Sequence, residues 1–286
     1  MDHLFYLGTL VSVWIIVALA ANMVIGYTGM MAMGQAAYLG FGAYTAAGLN
    51  ILLGVNFYVS LVAALLLSGF VAALTLAPLL RIGGFYFALA TLGLNFVFFD
   101  LFHNLAPRAD GSEGLHGLKL PALFASSGAR FASTLALAIL CFWLCRKIVA
   151  APLGRALRAT RDRPDALAAL GKDPRRFQMI VWAFAGALTG LAGGLYAATL
   201  FYIDPTLFTL DASILILVYI GVGGLASTWG SVLGVVLLIT FNESLRYIGL
   251  PSQYVGPIQQ AMYGLLLILL MIFRRRGLVG EHDFRE

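Results

Sequence analysis

The residues that could do chemistry in this chain are polar groups set inside apolar runs. They are Gln35, Asn95, Asp100, His103, Asn242 and Glu243, with Thr91 and Tyr44 as milder members. An unpaired polar group in hydrocarbon costs several kcal/mol, so such residues face a bundle interior or a wet path. Gln35, Tyr38, Tyr44, Thr91 and Asn95 are therefore the candidate lining of a solute path. Gln35 leads them because it lies inside a glycine-interrupted segment, Gly26-Tyr27-Thr28-Gly29 and then Gly34, Gly40 and Gly42. A satisfied hydrogen bond between helices is the competing reading for it. Asp100 and His103 stand i, i+3 near a helix end, where a salt bridge or a gate fits better than solute contact. Glu243 and Arg246 have the same spacing and read as an ion pair.

Nothing in the chain has the pattern of a catalytic centre. His3, His103, His116 and His282 are scattered without metal-ligand spacing. Cys141 and Cys145 share a helix face and read as buried thiols, so neither a metal nor a disulfide is expected. There is no Gly-x-x-x-x-Gly-Lys-Ser/Thr phosphate loop, hence no ATP site of that kind.

The second chemical feature is a basic island from Arg146 to Arg176, which holds nine of the eighteen Lys and Arg residues. Asp162 as N-cap, Pro164 in the first turn and Gly171 as left-handed terminator predict a helix over 162–171. Ala166, Leu167, Ala169 and Leu170 give it a small apolar face. Arg158, Arg161 and Arg163 precede it; Lys172, Arg175 and Arg176 follow. Two turns of helix are marginal alone and need a surface to pack on. The island is either a docking surface or a solvated loop whose arginines set topology and touch anionic lipid.

The elements that must position these groups are transmembrane helices. Hydrophobic residues make up 61% of the chain and charged ones 11%, with mean hydropathy +0.91, far from the ~25% charged residues of soluble domains. The expected fold is all-α: a polytopic bundle of about 8–9 membrane segments forming one domain over 1–286, with a cytoplasmic loop at 151–177. Candidate spans are roughly 4–25, 30–50, 57–80, 85–104, 131–150, 178–202, 212–245 and 257–273. Leu4–Ile25 lacks the basic flank of a signal peptide. The positive charges beside spans, including Arg274-Arg275-Arg276 and Arg285, place the island and the C-terminus in the cytoplasm and leave no reason to expect nucleic acid. The loop 105–130, with Asp110–Gly114 and Arg108, and the N-terminus then fall outside. The run 212–245 is too long for one pass, so two short passes or a re-entrant loop are expected at Gly221-Val222-Gly223-Gly224. Gly26, Gly29 and Gly34 form the matching break in the first half. Paired broken helices point to a midplane solute path. Gly186, Gly190 and Gly194, like Gly230 and Gly234, have the spacing that lets helix backbones approach closely.

Several passages resemble the permease subunits of branched-chain amino-acid ABC importers. They are Gly26–Gly29 with Met33-Gly34-Gln35-Ala36-Ala37-Tyr38, Gly42–Ala46, Phe85–Gly93, Arg155–Asp162 leading into Asp165–Gly171, Leu191–Ala197, and Gly223–Gly230. The resemblance covers about residues 15 to 275. It implies an inner-membrane translocation subunit, not an enzyme, that moves branched-chain or other hydrophobic amino acids by alternating access. It also implies a coupling loop in which Arg158, Arg161, Arg163, Asp165, Ala166, Leu167, Leu170 and Gly171 meet an ATPase. The implied partners are two ABC ATPases that bind ATP and Mg²⁺, a second permease subunit and a periplasmic solute-binding protein. Asp165 stands where the family usually has Glu, and Gln35 where His is common. The alternatives are an ion-coupled secondary transporter or channel, or an ABC permease for urea or short amides. The acids of the spans lie near helix ends, which disfavours ion coupling.

Overall fold

The computed structural model of the chain describes residues 2–105, 115–121, 124, 126–246, 256, 258–265, 268 and 278–280. In chain order its helices are α1 (Asp2–Thr28), α2 (Gln35–Leu52), α3 (Phe57–Leu79), α4 (Phe85–Leu105) and α5 (Ser127–Ala150). They continue with α6 (Pro152–Asp162), α7 (Pro164–Ala169), α8 (Pro174–Leu200), α9 (Leu210–Gly223) and α10 (Thr228–Arg246). Residues 258–265 are helical as well. Among the described residues the bundle is all-α except for one small antiparallel pair, β1 (Leu115–His116) with β2 (Tyr202–Ile203).

Among the described residues, five helices are long and apolar enough to cross a membrane: Asp2–Thr28, Phe57–Leu79, Phe85–Asn104, Ser127–Ala150 and Pro174–Leu200. The bent α9–α10 pair makes six if it counts as one span. This is a polytopic membrane bundle, and the described residues do not confirm the eight or nine segments expected. One reason is α2, which is enclosed by α3, α4 and α8 and therefore carries Gln35, Tyr44 and Asn50 buried in protein rather than lipid. Another is the 212–245 run. It turns through 115° between α9 and α10, and the 14 residues of α9 reach about 21 Å, short of a ~30 Å hydrocarbon core. The expected span 257–273 lies partly outside the described residues. So do Arg108 and Asp110–Gly114 of the expected external loop, and Arg274–Arg276, His282 and Arg285 at the C-terminal end.

α1 is buried on every side from Ser12 to Thr28, as expected of a helix that is apolar all round. α8 is the other centre. A Cβ at Gly186 would run into Ala72 Cβ, at Gly193 into the Leu39 carbonyl, and at Gly42 of α2 into the Gly190 carbonyl. The small-residue stripe of α8 therefore brings it backbone to backbone with α2 and α3. α5 turns outward instead, exposing Ile139, Leu140 and Trp143.

The two ends of the bundle are distinct. Asp2, His3, Ser127, Arg130 and Thr199 line a cavity at one end, where His3 Nε2 also lies 3.3 Å from Glu243 Oε1. Tyr27, Arg146, Arg155, Ser227 and Gly280 share a cavity at the other. The basic island, the α9–α10 break and residues 278–280 thus lie together, opposite the start of α1.

Candidate functional site: the island and the helix breaks

The island folds as two helices rather than one. Pro152 starts α6 in its first turn, and a Cβ at Gly154 would meet the Val149 carbonyl, so the α5–α6 corner closes backbone on backbone. Gly154, Ala156, Leu157 and Thr160 form its buried face, with Leu157 at 0% exposure. The helix expected over 162–171 is instead Pro164–Ala169, and Asp162 closes α6 rather than capping α7. The cause is Pro164, which bars the residue before it from helical geometry. Arg163 accordingly sits at φ −148°, ψ 77°. Gly171 is left-handed at φ +74°, and Lys172 N donates to the Leu167 carbonyl at 3.3 Å, so the predicted terminator closes the turn.

The apolar face expected of this helix is split. Leu167 is 4% exposed and anchors α7, whereas Leu170 is 76% exposed. Arg163, Asp165, Ala166 and Gly171 are exposed around it. The knob is held by one leucine and presents the other.

Arg161 points inward. Its Nη1 donates to the Gly26 carbonyl in the last turns of α1, and a Cβ at Gly29, itself left-handed at φ +74°, would press on Arg161 Cγ at 2.8 Å. Burial lowers the Arg161 pKa, against the opposing pull of Asp162. Arg158 lies 5.7 Å above the Tyr27 ring.

One turn back from Gly26 lies Asn22, 1% exposed, a residue the sequence reading passed over. Its Nδ2 donates to the Ser227 carbonyl at 2.9 Å and to Ser231 Oγ at 2.7 Å, and its Oδ1 accepts from Ala226 N at 3.0 Å. Ala226 has φ +58°, an uncommon conformation for a residue with a Cβ, and this amide is what holds it. Asn22 thus pins the α9–α10 break to α1. On the other side of that break, Leu278 N and Val279 N donate to the carbonyls of Val222 and Gly223.

The breaks fall at the later glycines of each expected set. Gly26 and Gly221 are helical; the chain leaves helix at Gly29 and again at Gly224 (φ +118°), the residue after Gly223. Gly34 immediately precedes α2, and a Cβ there would meet the Thr91 carbonyl. Thr91 Oγ1 accepts from Met33 N at 3.0 Å, so it fixes the first break. Tyr38 is likewise occupied, bonded to Thr75 Oγ1 at 2.8 Å and to Trp182 Nε1 at 3.1 Å. Gln35 Oε1, Asn95 Oδ1 and Tyr44 Oη are buried and have no hydrogen-bond partner among the described residues.

Comparison with known proteins agrees with this architecture. Residues 3–273 match the family described as branched-chain amino acid transport system / permease component. The chain belongs to that permease family. It is 29% identical over 300 aligned positions to the high-affinity branched-chain amino acid transport system permease protein LivM of Escherichia coli (strain K12), covering 96% of this chain and 69% of that one. It is 25% identical over 183 positions to a probable branched-chain amino acid transport permease protein LivM of Methanocaldococcus jannaschii, covering 59% of this chain and 53% of that one. A more distant similarity, 27% over 151 positions, is to the ribose import permease protein RbsC of Bacillus subtilis (strain 168), with 51% and 45% covered. No solved structure matches.

As a member of this permease family, the chain is a transport subunit rather than a catalyst, and its polar groups read accordingly. The five expected path residues divide into two kinds. Tyr38 and Thr91 are structural ties, while Gln35, Asn95 and Tyr44 retain buried oxygens with bonding capacity to spare. Glu243 reaches His3 across the bundle, a contact that no i, i+3 spacing indicates.

Proposed function

We propose that this chain is the translocation subunit of an ATP-driven ABC importer for branched-chain or other small hydrophobic amino acids. It sits in the inner membrane as a single domain over 1–286, with the loop 151–177 and the C-terminus in the cytoplasm. Two ABC ATPases, which bind ATP and Mg²⁺ and carry out hydrolysis, dock on α7. A second permease subunit completes the path, and a periplasmic solute-binding protein delivers the amino acid. The observation that carries this reading is α7 itself: a short helix anchored by Leu167 that displays Leu170, Arg163 and Asp165 at the basic end of the bundle.

ATPase movement reaches the membrane through α6. Arg161 grips the Gly26 carbonyl, and Asn22, one turn away on the same buried helix, grips the α9–α10 break. Displacing α7 therefore bears on both breaks together. Access alternates if the ATPase contacts α7 differently in the two states, because a partner shifts an equilibrium only by its differential affinity. Along the path, Gln35 Oε1 and Asn95 Oδ1 are acceptors suited to an ammonium group, and the Tyr44 hydroxyl is a donor suited to a carboxylate. A buried unmade hydrogen bond costs about 1–3 kcal/mol, which a zwitterionic solute relieves.

Uptake in cells that contain the full transporter tests the reading. Leucine or valine uptake is expected to stop when ATP is exhausted and to persist when ionophores collapse ion gradients. Uptake that follows the ion gradient and ignores ATP would make the chain a secondary transporter instead.

A further inference from the structure

The cavity at the basic end of the bundle has a volume of about 720 Å³ and is built from five parts of the chain. Arg146 comes from the last turns of α5, Arg155 and Arg158 from α6, and Tyr27 from the end of α1. Ser227 and Thr228 come from the start of α10, and Gly280 from the returning tail. Three guanidiniums and three hydroxyl-bearing side chains therefore meet in one concavity. No carboxylate lines it among the described residues; the closest in sequence, Asp162, lies four residues beyond Arg158 on α6.

The depth of the cavity is marked independently. Trp143 and Trp229 are about half exposed, at 51% and 54%. Lys147 Nζ stands 3.7 Å above the Trp143 ring, and Phe142 packs edge-on to Trp229 at 4.9 Å. Half-exposed tryptophans beside a lysine are the signature of the membrane–water interface. Toward the membrane interior from them, α5 exposes Ile139 and Leu140. A molecule in the cavity thus has basic groups around its head and an apolar helix flank within reach of its tail.

We propose that this cavity binds the phosphate of an anionic lipid headgroup from the leaflet on the α6–α7 side. Guanidiniums match phosphate oxygens with paired donors, hydroxyls add single donors, and the start of the 19-residue α10 contributes the positive end of its dipole. The volume accommodates a whole headgroup rather than a bare ion. A lipid held here bridges α6 to the start of α10, the same two regions that Arg161 and Asn22 join from inside. Arg161 is used within the protein and Arg155 faces the lipid, so neighbouring arginines of one helix take different partners.

Native mass spectrometry of the full-length chain, released from nanodiscs of equal palmitoyl-oleoyl phosphatidylglycerol and phosphatidylcholine, tests the proposal. One phosphatidylglycerol per chain is expected to be retained in preference to phosphatidylcholine. Each Arg→Gln change should lower that preference about fivefold, and Arg146→Gln, Arg155→Gln and Arg158→Gln together about 100-fold. Arg146→Gln with Arg155→Gln alters exposed residues only and serves where Arg158→Gln disturbs Tyr27; about 25-fold is expected of it. Equal retention of both lipids, or retention unchanged in that double variant, overturns the site. Release of phosphatidylglycerol by inorganic phosphate, under conditions where chloride releases none, makes free phosphate the ligand and overturns the lipid assignment. Glu281, Asp283 and Glu286 follow Gly280 in the sequence, so a chain ending at Gly280 is the final arm. Preference equal to that of the full chain supports the lipid, whereas preference seen only after truncation makes the acidic tail the occupant.

Discussion

α6 and α7 are neighbours in sequence and each is opened by a proline, yet the bundle treats them oppositely. α6 buries Gly154, Ala156, Leu157 and Thr160 and sends Arg161 to a backbone carbonyl of the innermost helix. α7 buries Leu167 alone and leaves Leu170 exposed at its end. One helix is wired into the transmembrane core and the other is presented to something outside it. A basic loop between spans is thus more than a topology signal: its charges divide according to what their own helix packs on.

The contrast can be broken most forcefully at α6. Leu157→Asp places an unpaired carboxylate where nothing is exposed, and a loss of about 3–5 kcal/mol or more is expected. Thermal unfolding in detergent should fall accordingly, together with expression. If Leu157→Asp leaves the melting temperature unchanged, α6 is not packed as described.

A smaller effect is expected one relay further in. Asn22→Ala strands the Ala226 N–H in a dry site, while the Ser227 carbonyl keeps its bond from Ser231 N, at a cost of roughly 1–3 kcal/mol. Hydrogen exchange at residues 224–231 should rise while exchange along α3 and α8 stays as it was. Uniform change along the chain would show that Asn22 does not act at the break.

The smallest effect belongs to the surface beyond α7. Arg176 Nε lies 3.7 Å from Asp173 Oδ2 with both side chains well exposed, and such pairs contribute about 0–1 kcal/mol. Arg176→Gln should leave both stability and uptake within error. A measurable loss in either would extend the working surface past α7.

Much of this was legible in the sequence, for identifiable reasons. Gly171 and Pro164 punctuate α7 because each forces a backbone geometry, and Gly29 and Gly224 mark the breaks for the same reason. The start of α7 was misplaced by taking Asp162 as a cap, a weaker preference than the steric bar of the following proline. Pro152 and the small-residue face Gly154, Ala156, Leu157 and Thr160 do encode α6, but the arginines interleaved with that face mask its apolar pattern. Asn22 is the instructive omission. A lone amide within the apolar run Leu4–Ile25 is a signal in itself, since a polar residue at that depth must find partners. Which partners it finds depends on the 115° turn between α9 and α10, and no local pattern encodes that angle. The division of the path residues is hidden in the same way: Tyr38 and Tyr44 look equivalent until Trp182 and Thr75 are seen to occupy one hydroxyl.

Leu170 tests the central claim most directly, because it is displayed without supporting the bundle. In the purified transporter, association of the ATPase with a Leu170→Asp chain in nanodiscs is to be compared with wild type, alongside thermal unfolding of the chain alone. The account predicts association weakened by about 30-fold or more, as for the loss of an interface anchor worth ~2 kcal/mol, with unfolding unchanged. ATPase association and ATP-driven uptake at wild-type levels in that variant would contradict it.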